Sequence, residues 1–205
     1  MTLIKICGLY RPVDIDYVNE AGPDFIGFIL NFPKSHRNLD PVQARELRQR
    51  LKPGIRSVGV FVDRPMDEVF AAAAEIGLDV IQLHGHEDDA YIRELRGKTA
   101  KPVWKAFRIR NAADLAAAEN STADEILLDN GYGTGETFDW SYAASFTRPF
   151  LLAGGLTPEN IPDAVRMLHP KMLDISSGVE TDRVKDREKI LAAVRAAHTQ
   201  EEKAS

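Results

Sequence analysis

Leu151-Leu152-Ala153-Gly154-Gly155-Leu156-Thr157-Pro158 is the stretch on which the architecture of this chain turns. An apolar run of strand length ends in paired glycines, and a Thr-Pro helix start follows at once. The same grammar returns in Met172-Leu173-Asp174-Ile175-Ser176-Ser177-Gly178, a second apolar run closed by small residues. A buried strand that passes through a short glycine-bearing turn into a helix is the unit of a parallel βα fold, because parallel neighbours need a crossover between them.

Read outward from there, the unit recurs about every 25 residues. Eight strands are predicted: Leu3–Cys7, Phe25–Ile29, Ser57–Val62, Asp79–His84, Pro102–Phe107, Glu125–Asp129, Pro149–Ala153 and Met172–Ser176. Helical patterns lie between them. Met66, Val69, Phe70 and Ala73 fall at i, i+3, i+4 and i+7, and Gly77 is placed to stop that helix. Ile190, Leu191, Val194 and Ala197 mark the apolar face of the last helix, while the sixth, after Trp140, is expected to run one or two turns. No Pro/Gly/Ser-rich linker interrupts the series. The expectation is an α/β fold, a single (β/α)8 TIM barrel over residues 1–198, with a polar tail at 199–205. An open flavodoxin-like or Rossmann sheet is the alternative, but it uses five or six strands.

Composition narrows the function classes. A chain of 205 residues with 44% hydrophobic and 28% charged residues suits one globular domain. A formal net charge of −5 disfavours a nucleic-acid binder, which needs a broad basic face. No apolar run reaches the roughly 18 residues that cross a bilayer, and the N-terminus lacks the features of a signal peptide, so no membrane partner and a cytoplasmic location are expected. One cysteine, Cys7, precludes an intramolecular disulfide framework and a Cys-rich zinc site.

Barrel enzymes gather their chemistry where the strands end, which ranks the polar residues. Gly154-Gly155 and Ser176-Ser177-Gly178 close consecutive strands, the seventh and eighth, where backbone N–H groups can approach a phosphate. Two ordinary tight turns are the plain alternative; their occurrence in adjacent loops favours a small phosphorylated ligand. Alternation places Lys5 and Cys7 on one face of the first strand and Ile4 and Ile6 on the other, so that Lys5 and Cys7 point into the barrel. Buried cysteines are mostly inert, but an ammonium beside this one is expected to favour its thiolate. Asp129 ends a buried strand and precedes Gly131-Tyr132-Gly133-Thr134-Gly135, either as a loop anchor or as an acid facing the mouth; Asp174 is a similar candidate. Arg37, in a long loop after the second strand, has a fork suited to a carboxylate or serves solubility alone. His84 and His86 share a strand face in the predicted register, yet the other histidines (His36, His169, His198) do not complete a metal site.

Taken in order, several segments resemble the phosphoribosylanthranilate isomerase family of tryptophan biosynthesis. They are Lys5-Ile6-Cys7-Gly8-Leu9, Phe25-Ile26-Gly27-Phe28, Ser35-x-Arg37, Val58-Gly59-Val60-Phe61 and Gln82-Leu83-His84-Gly85. Leu128-Asp129 follows, with Gly133-Thr134-Gly135-x-x-Phe138-Asp139-Trp140, Leu152-Ala153-Gly154-Gly155-Leu156, Asp174-x-Ser176-Ser177-Gly178-Val179-Glu180 and Lys185-Asp186. Tyr132 and Val184 stand where the family more often has glycine. The resemblance implies an Amadori rearrangement of N-(5-phosphoribosyl)anthranilate by acid–base catalysis without metal or organic cofactor. It assigns Cys7 as base, Asp129 as acid, and Arg37 to the anthranilate carboxylate. Gly154, Gly155, Ser177 and Gly178 would hold the phosphate, and His84 and Asp174 would line the substrate. A monomer or homodimer is expected.

Overall fold

The computed structural model describes residues 1–129 and 140–199. Nine strands form one parallel sheet: β1 (Leu3–Cys7), β2 (Phe25–Leu30), β3 (Asn38–Leu39), β4 (Arg56–Phe61), β5 (Val80–Leu83), β6 (Val103–Arg108), β7 (Glu125–Asp129), β8 (Leu151–Leu152) and β9 (Met172–Ile175). β1 pairs with β2 on one side and β9 on the other, which closes the sheet into an eight-stranded barrel, with β3 attached beside the end of β2. Closure rules out the open-sheet alternative. The helices are α1 (Pro12–Ala21), α2 (Pro41–Gln49), α3 (Met66–Ile76), α4 (Asp89–Lys98), α5 (Ala112–Glu119), α6 (Trp140–Ala144), α7 (Ile161–Leu168) and α8 (Arg187–His198). After β9 a 3-10 turn, Ser177–Val179, leads into an antiparallel hairpin of β10 (Glu180–Thr181) and β11 (Val184–Lys185).

Local chemistry explains where helices begin. Asp40, Asp88, Asn111 and Asp186 each accept backbone N–H bonds from the first turn that follows, satisfying donors that have no partner within the helix. Gly77 ends α3 at φ +72°, a left-handed conformation that side chains disfavour.

Two apolar layers hold the barrel. Ile4, Ile6, Ile26, Phe28, Ile81 and Leu128 point outward and meet the helices. Inside the barrel, Phe25, Val58, Val80, Trp104, Leu127, Leu151 and Met172 fill the end where the strands begin. Truncating one of these fully buried aliphatics to alanine costs about 2–5 kcal/mol, since the lining cannot collapse into the gap. The plug stops short of the strands' C-terminal ends, and polar side chains take over there.

Some expectations shift. β5 and β8 are shorter than predicted, at Val80–Leu83 and Leu151–Leu152, because the barrel ladder releases residues that belong to turns. On α3 the buried face is Val69, Ala72, Ala73 and Ile76, whereas Phe70 is 45% exposed. On α8, Ala193 is buried in place of Leu191. α6 is short, as its sequence predicts. β3 and the β10–β11 hairpin carry no periodicity and were not anticipated. The glycine loop 131–135, including Tyr132, and residues 200–205 of the tail lie outside the described residues.

Candidate active site

Lys5 enters the barrel from β1 and is wholly buried. Its Nζ donates to Asp174 Oδ2 on the neighbouring β9 at 2.7 Å and, across the lumen, to Gln82 Oε1 on β5 at 2.9 Å. Asp174 Oδ1, also buried, has no hydrogen-bond partner among the described residues. One alternation step further toward the mouth stands Cys7. Gly27 is its register partner on β2, and a Cβ there would lie 2.8 Å from Cys7 Sγ. Only glycine leaves the thiol its place. From β5, His84 reaches Asp129 at the end of β7, with His84 Nε2 3.1 Å from Asp129 Oδ2 and His84 Nδ1 3.1 Å from Gln82 Nε2.

Burial pushes the Cys7 thiol above the ordinary cysteine value; the Lys5 ammonium opposes this, Asp174 adds to it and Lys185 opposes it, with a net rise. Lys5 does favour the thiolate, as expected, but burial outweighs it and the Asp174 carboxylate works against it, so the thiol keeps its proton. For Lys5 itself, burial works to lower the pKa, but the Asp174 carboxylate and then Cys7 outweigh it, so the amine stays charged. A charged Lys5 cannot serve as a Schiff-base nucleophile. Lys105, also buried, is bonded to Glu87 Oε2 at 3.0 Å and to the Gly85 carbonyl at 2.6 Å.

Arg37 is not a free surface charge. Its Nε and Nη2 donate to Glu180 Oε1 and Oε2 at 2.6 and 2.7 Å. The buried Lys185 donates to Glu180 Oε1 at 2.8 Å and to the Ser176 carbonyl at 2.9 Å, and Ser176 Oγ donates to the Cys7 carbonyl at 3.1 Å. Burial would raise the Glu180 carboxyl, but the bonds and charges of Arg37 and Lys185 bring it down to about 2. Burial lowers the Lys185 ammonium, with Glu180 resisting. Arg37 crosses the backbone just after Cys7, where Gly8 sits at φ +76° and any Cβ would meet Arg37 Cδ at 2.5 Å. Glu180, Lys185 and Gln82 stand in the quoted segments, but sequence reading gave them no role; only the fold brings them to the site.

On the adjoining loop, after β8, Gly154 and Gly155 adopt φ of +91° and +65°. Asn160 holds this loop by donating to the Gly155 carbonyl at 2.9 Å and accepting from Thr157 N at 2.8 Å. A Cβ on Gly178 would fall 1.8 Å from the Leu156 carbonyl oxygen, so the loops after β8 and β9 abut. Gly154, Gly155, Ser177 and Gly178 thus form one small, side-chain-poor patch.

His84 and His86 do not share a face: β5 ends at Leu83, and the largely exposed His86 turns to Asp63. Among the described residues no three His, Cys, Asp or Glu side chains group to hold a metal ion. A cavity of about 390 Å³ opens beside His84, Lys105, Phe107, Arg108 and Asp129. A larger one, about 490 Å³, lies at the other end among Leu3, Phe25, Arg56 and Trp104, away from Cys7, His84 and Asp129. Among the described residues no helix is long and apolar enough to cross a membrane.

A closed (β/α)8 barrel with a thiol, two carboxylates and an imidazole gathered at the C-terminal ends of its strands is the architecture of a barrel enzyme. Residues 4–196 match the family model described as N-(5'phosphoribosyl)anthranilate (PRA) isomerase, and the chain belongs to that family. The N-(5'-phosphoribosyl)anthranilate isomerase of Caldanaerobacter subterraneus subsp. tengcongensis is 44% identical over 93% of this chain and 95% of its own. The solved phosphoribosyl anthranilate isomerase of Thermotoga maritima superposes with a TM-score of 0.87 at 34% identity, covering 96% of this chain and 98% of the other. A solved isomerase in complex with reduced 1-(o-carboxyphenylamino)-1-deoxyribulose 5-phosphate gives 0.85 at 34% identity over the same shares.

Proposed function

We propose that this chain isomerises N-(5'-phosphoribosyl)anthranilate to the 1-deoxyribulose 5-phosphate by general acid–base catalysis, with Asp129 as acid and Cys7 as base. The reading is carried by the family match over residues 4–196. Asp129 protonates the furanose oxygen; the C1–O bond breaks and the anthranilate nitrogen's lone pair forms an iminium. The C2 hydrogen is then acidic, Cys7 removes it, and the enolamine that results tautomerises to the ketone. The substrate nitrogen is the electron sink throughout.

The electrostatics suit this order. The resting sulfur holds its proton, since burial raises its pKa. An iminium formed beside it adds a second cation to that of Lys5 and favours release of the thiol proton to solvent water, so that the resulting thiolate takes the C2 hydrogen. Arg37 commits its Nε–Nη2 edge to Glu180, which leaves the Nη1 side for the anthranilate carboxylate. The glycine patch receives the phosphate, the unpartnered Asp174 Oδ1 accepts a substrate hydroxyl, and His84 orients Asp129.

Turnover of phosphoribosylanthranilate by the purified chain, followed as loss of anthranilate-type fluorescence, is the direct test. Cys7→Ser and Asp129→Asn should each lose roughly 10²-fold or more in kcat while remaining folded. Full activity in either variant would refute the role of that residue.

A further inference from the structure

Five groups line up across the barrel mouth: Asp174, Lys5, Gln82, His84 and Asp129, each within hydrogen-bond distance of the next. The chemistry of one end dictates the direction of every bond along the line. A lysine ammonium has three donors and no acceptor, so the Gln82 atom that faces Lys5 Nζ at 2.9 Å must be its carbonyl oxygen. The amide nitrogen is thereby turned to His84 Nδ1 at 3.1 Å, and it can only donate. Nδ1 must then accept, so it carries no hydrogen, and the proton of the neutral imidazole resides on Nε2. Nε2 faces Asp129 Oδ2 at 3.1 Å and donates to it. The tautomer of His84 is thus set by a lysine on another strand, through the amide of Gln82.

We propose that Gln82 is a positioning residue: held by Lys5, it locks His84 as the Nε2–H tautomer, and that N–H fixes the carboxyl of Asp129 at the angle from which it delivers its proton. With Oδ2 accepting from His84, the transferable proton is carried on Oδ1. The opposite tautomer would turn a bare lone pair toward Asp129, which would draw the acid's proton into a hydrogen bond with the imidazole and away from the substrate. Gln82 is fully buried, which makes the arrangement durable, because an amide cut off from water cannot flip without leaving both of its partners unsatisfied. Lys5 thereby has a second task besides neutralising Asp174: it reports to the acid on the far side of the barrel. This proposal rests on the assignment of Asp129 as the acid.

The test combines a spectroscopic signature with kinetics. Protein labelled with 15N-histidine, examined by long-range 1H–15N correlation, contains five histidines, and the His84 signals are identified by their loss in His84→Asn. Wild type should show a protonated Nε2 and an unprotonated Nδ1. In Gln82→Glu the side chain presents only acceptors, so Nδ1 should become protonated. In Gln82→Met, a neutral replacement of similar length that avoids a second carboxylate beside Lys5, the two tautomers should mix. Both variants should lose roughly 10- to 10²-fold in kcat, with KM moved by less than about 3-fold, because the acid is misplaced while carboxylate and phosphate contacts remain. An Nδ1–H tautomer in wild type overturns the proposal. So do His84 signals unchanged in both variants, or altered signals with kcat within about 2-fold of wild type. Near-normal turnover by Asp129→Asn would instead overturn the acid assignment, and the tautomer would still be read independently.

Discussion

Gly178→Ala probes the phosphate cradle with the smallest change available. The added Cβ would sit 1.8 Å from the Leu156 carbonyl oxygen and 3.2 Å from Thr157 Cα, whereas real Cβ contacts essentially never fall under 3.0 Å. The obstruction is backbone on both sides, so no rotamer relieves it, and the loops after β8 and β9 must part by more than about 1 Å, a misplacement able to cost on the order of 10²-fold in rate. A phosphate held between them loses its charge-assisted backbone contacts, each worth about 1.5–3 kcal/mol, or roughly 10- to 10²-fold in KM. Leu156 and Val179 join the outer apolar layer at this turn, but the inner plug of Phe25, Val58, Val80, Trp104, Leu127, Leu151 and Met172 lies at the other end of the barrel, so the barrel should survive. Steady-state kinetics on phosphoribosylanthranilate should therefore show kcat/KM down by at least about 10²-fold, with a larger share in KM. Inorganic phosphate should raise the melting temperature of wild type but not of the variant, as mass action requires of a ligand that binds only the intact cradle. Wild-type KM together with an undiminished phosphate shift would refute the placement of the phosphate.

Other outcomes follow from the electrostatics. Alkylation of Cys7 by iodoacetamide should be slow at pH 7 and still rising above pH 9, since burial holds the thiol above its ordinary value of 9.0 and the thiolate at neutral pH is under about 1%; a rate that levels off near pH 7 would contradict this. Arg37→Ala should mainly raise KM, by about 1.5–3 kcal/mol of lost charge-assisted binding, and unchanged kinetics would return Arg37 to a purely structural role with Glu180. Glu180 has a folded pKa depressed from 4.5 to about 2, so its contribution to stability is complete above 4.5 and drains away as pH falls through 2. Thermal melts of Glu180→Gln should accordingly fall below wild type at pH 7 and converge on it between pH 4.5 and 2; parallel curves over that window would show that the carboxylate stabilises nothing.

Periodicity and turn chemistry carried most of the architecture. Eight apolar runs at even spacing, each ending in small or polar residues, can bury their edges only by closing, and the alternation of Ile4, Lys5, Ile6 and Cys7 already separates the helix-facing side of β1 from the lumen. The same logic marked Cys7, Asp129, Asp174 and the glycines as strand-end residues, because position along a strand is a local property. Phe70 and Leu191 misled it, since apolar character at helical spacing does not say how much room the neighbouring helix leaves. Partners were not legible at all. Lys5 and Gln82 are 77 residues apart and Arg37 and Glu180 are 143 apart, and nothing in either segment names the other. Nor could the sequence say that Cys7 keeps its proton: the adjacent ammonium was visible, but the burial that outweighs it, and the carboxylate on β9 that neutralises it, exist only once the barrel has closed. Local pattern determines which residues reach the mouth, whereas desolvation and charge pairing are sums over everything the fold packs around them.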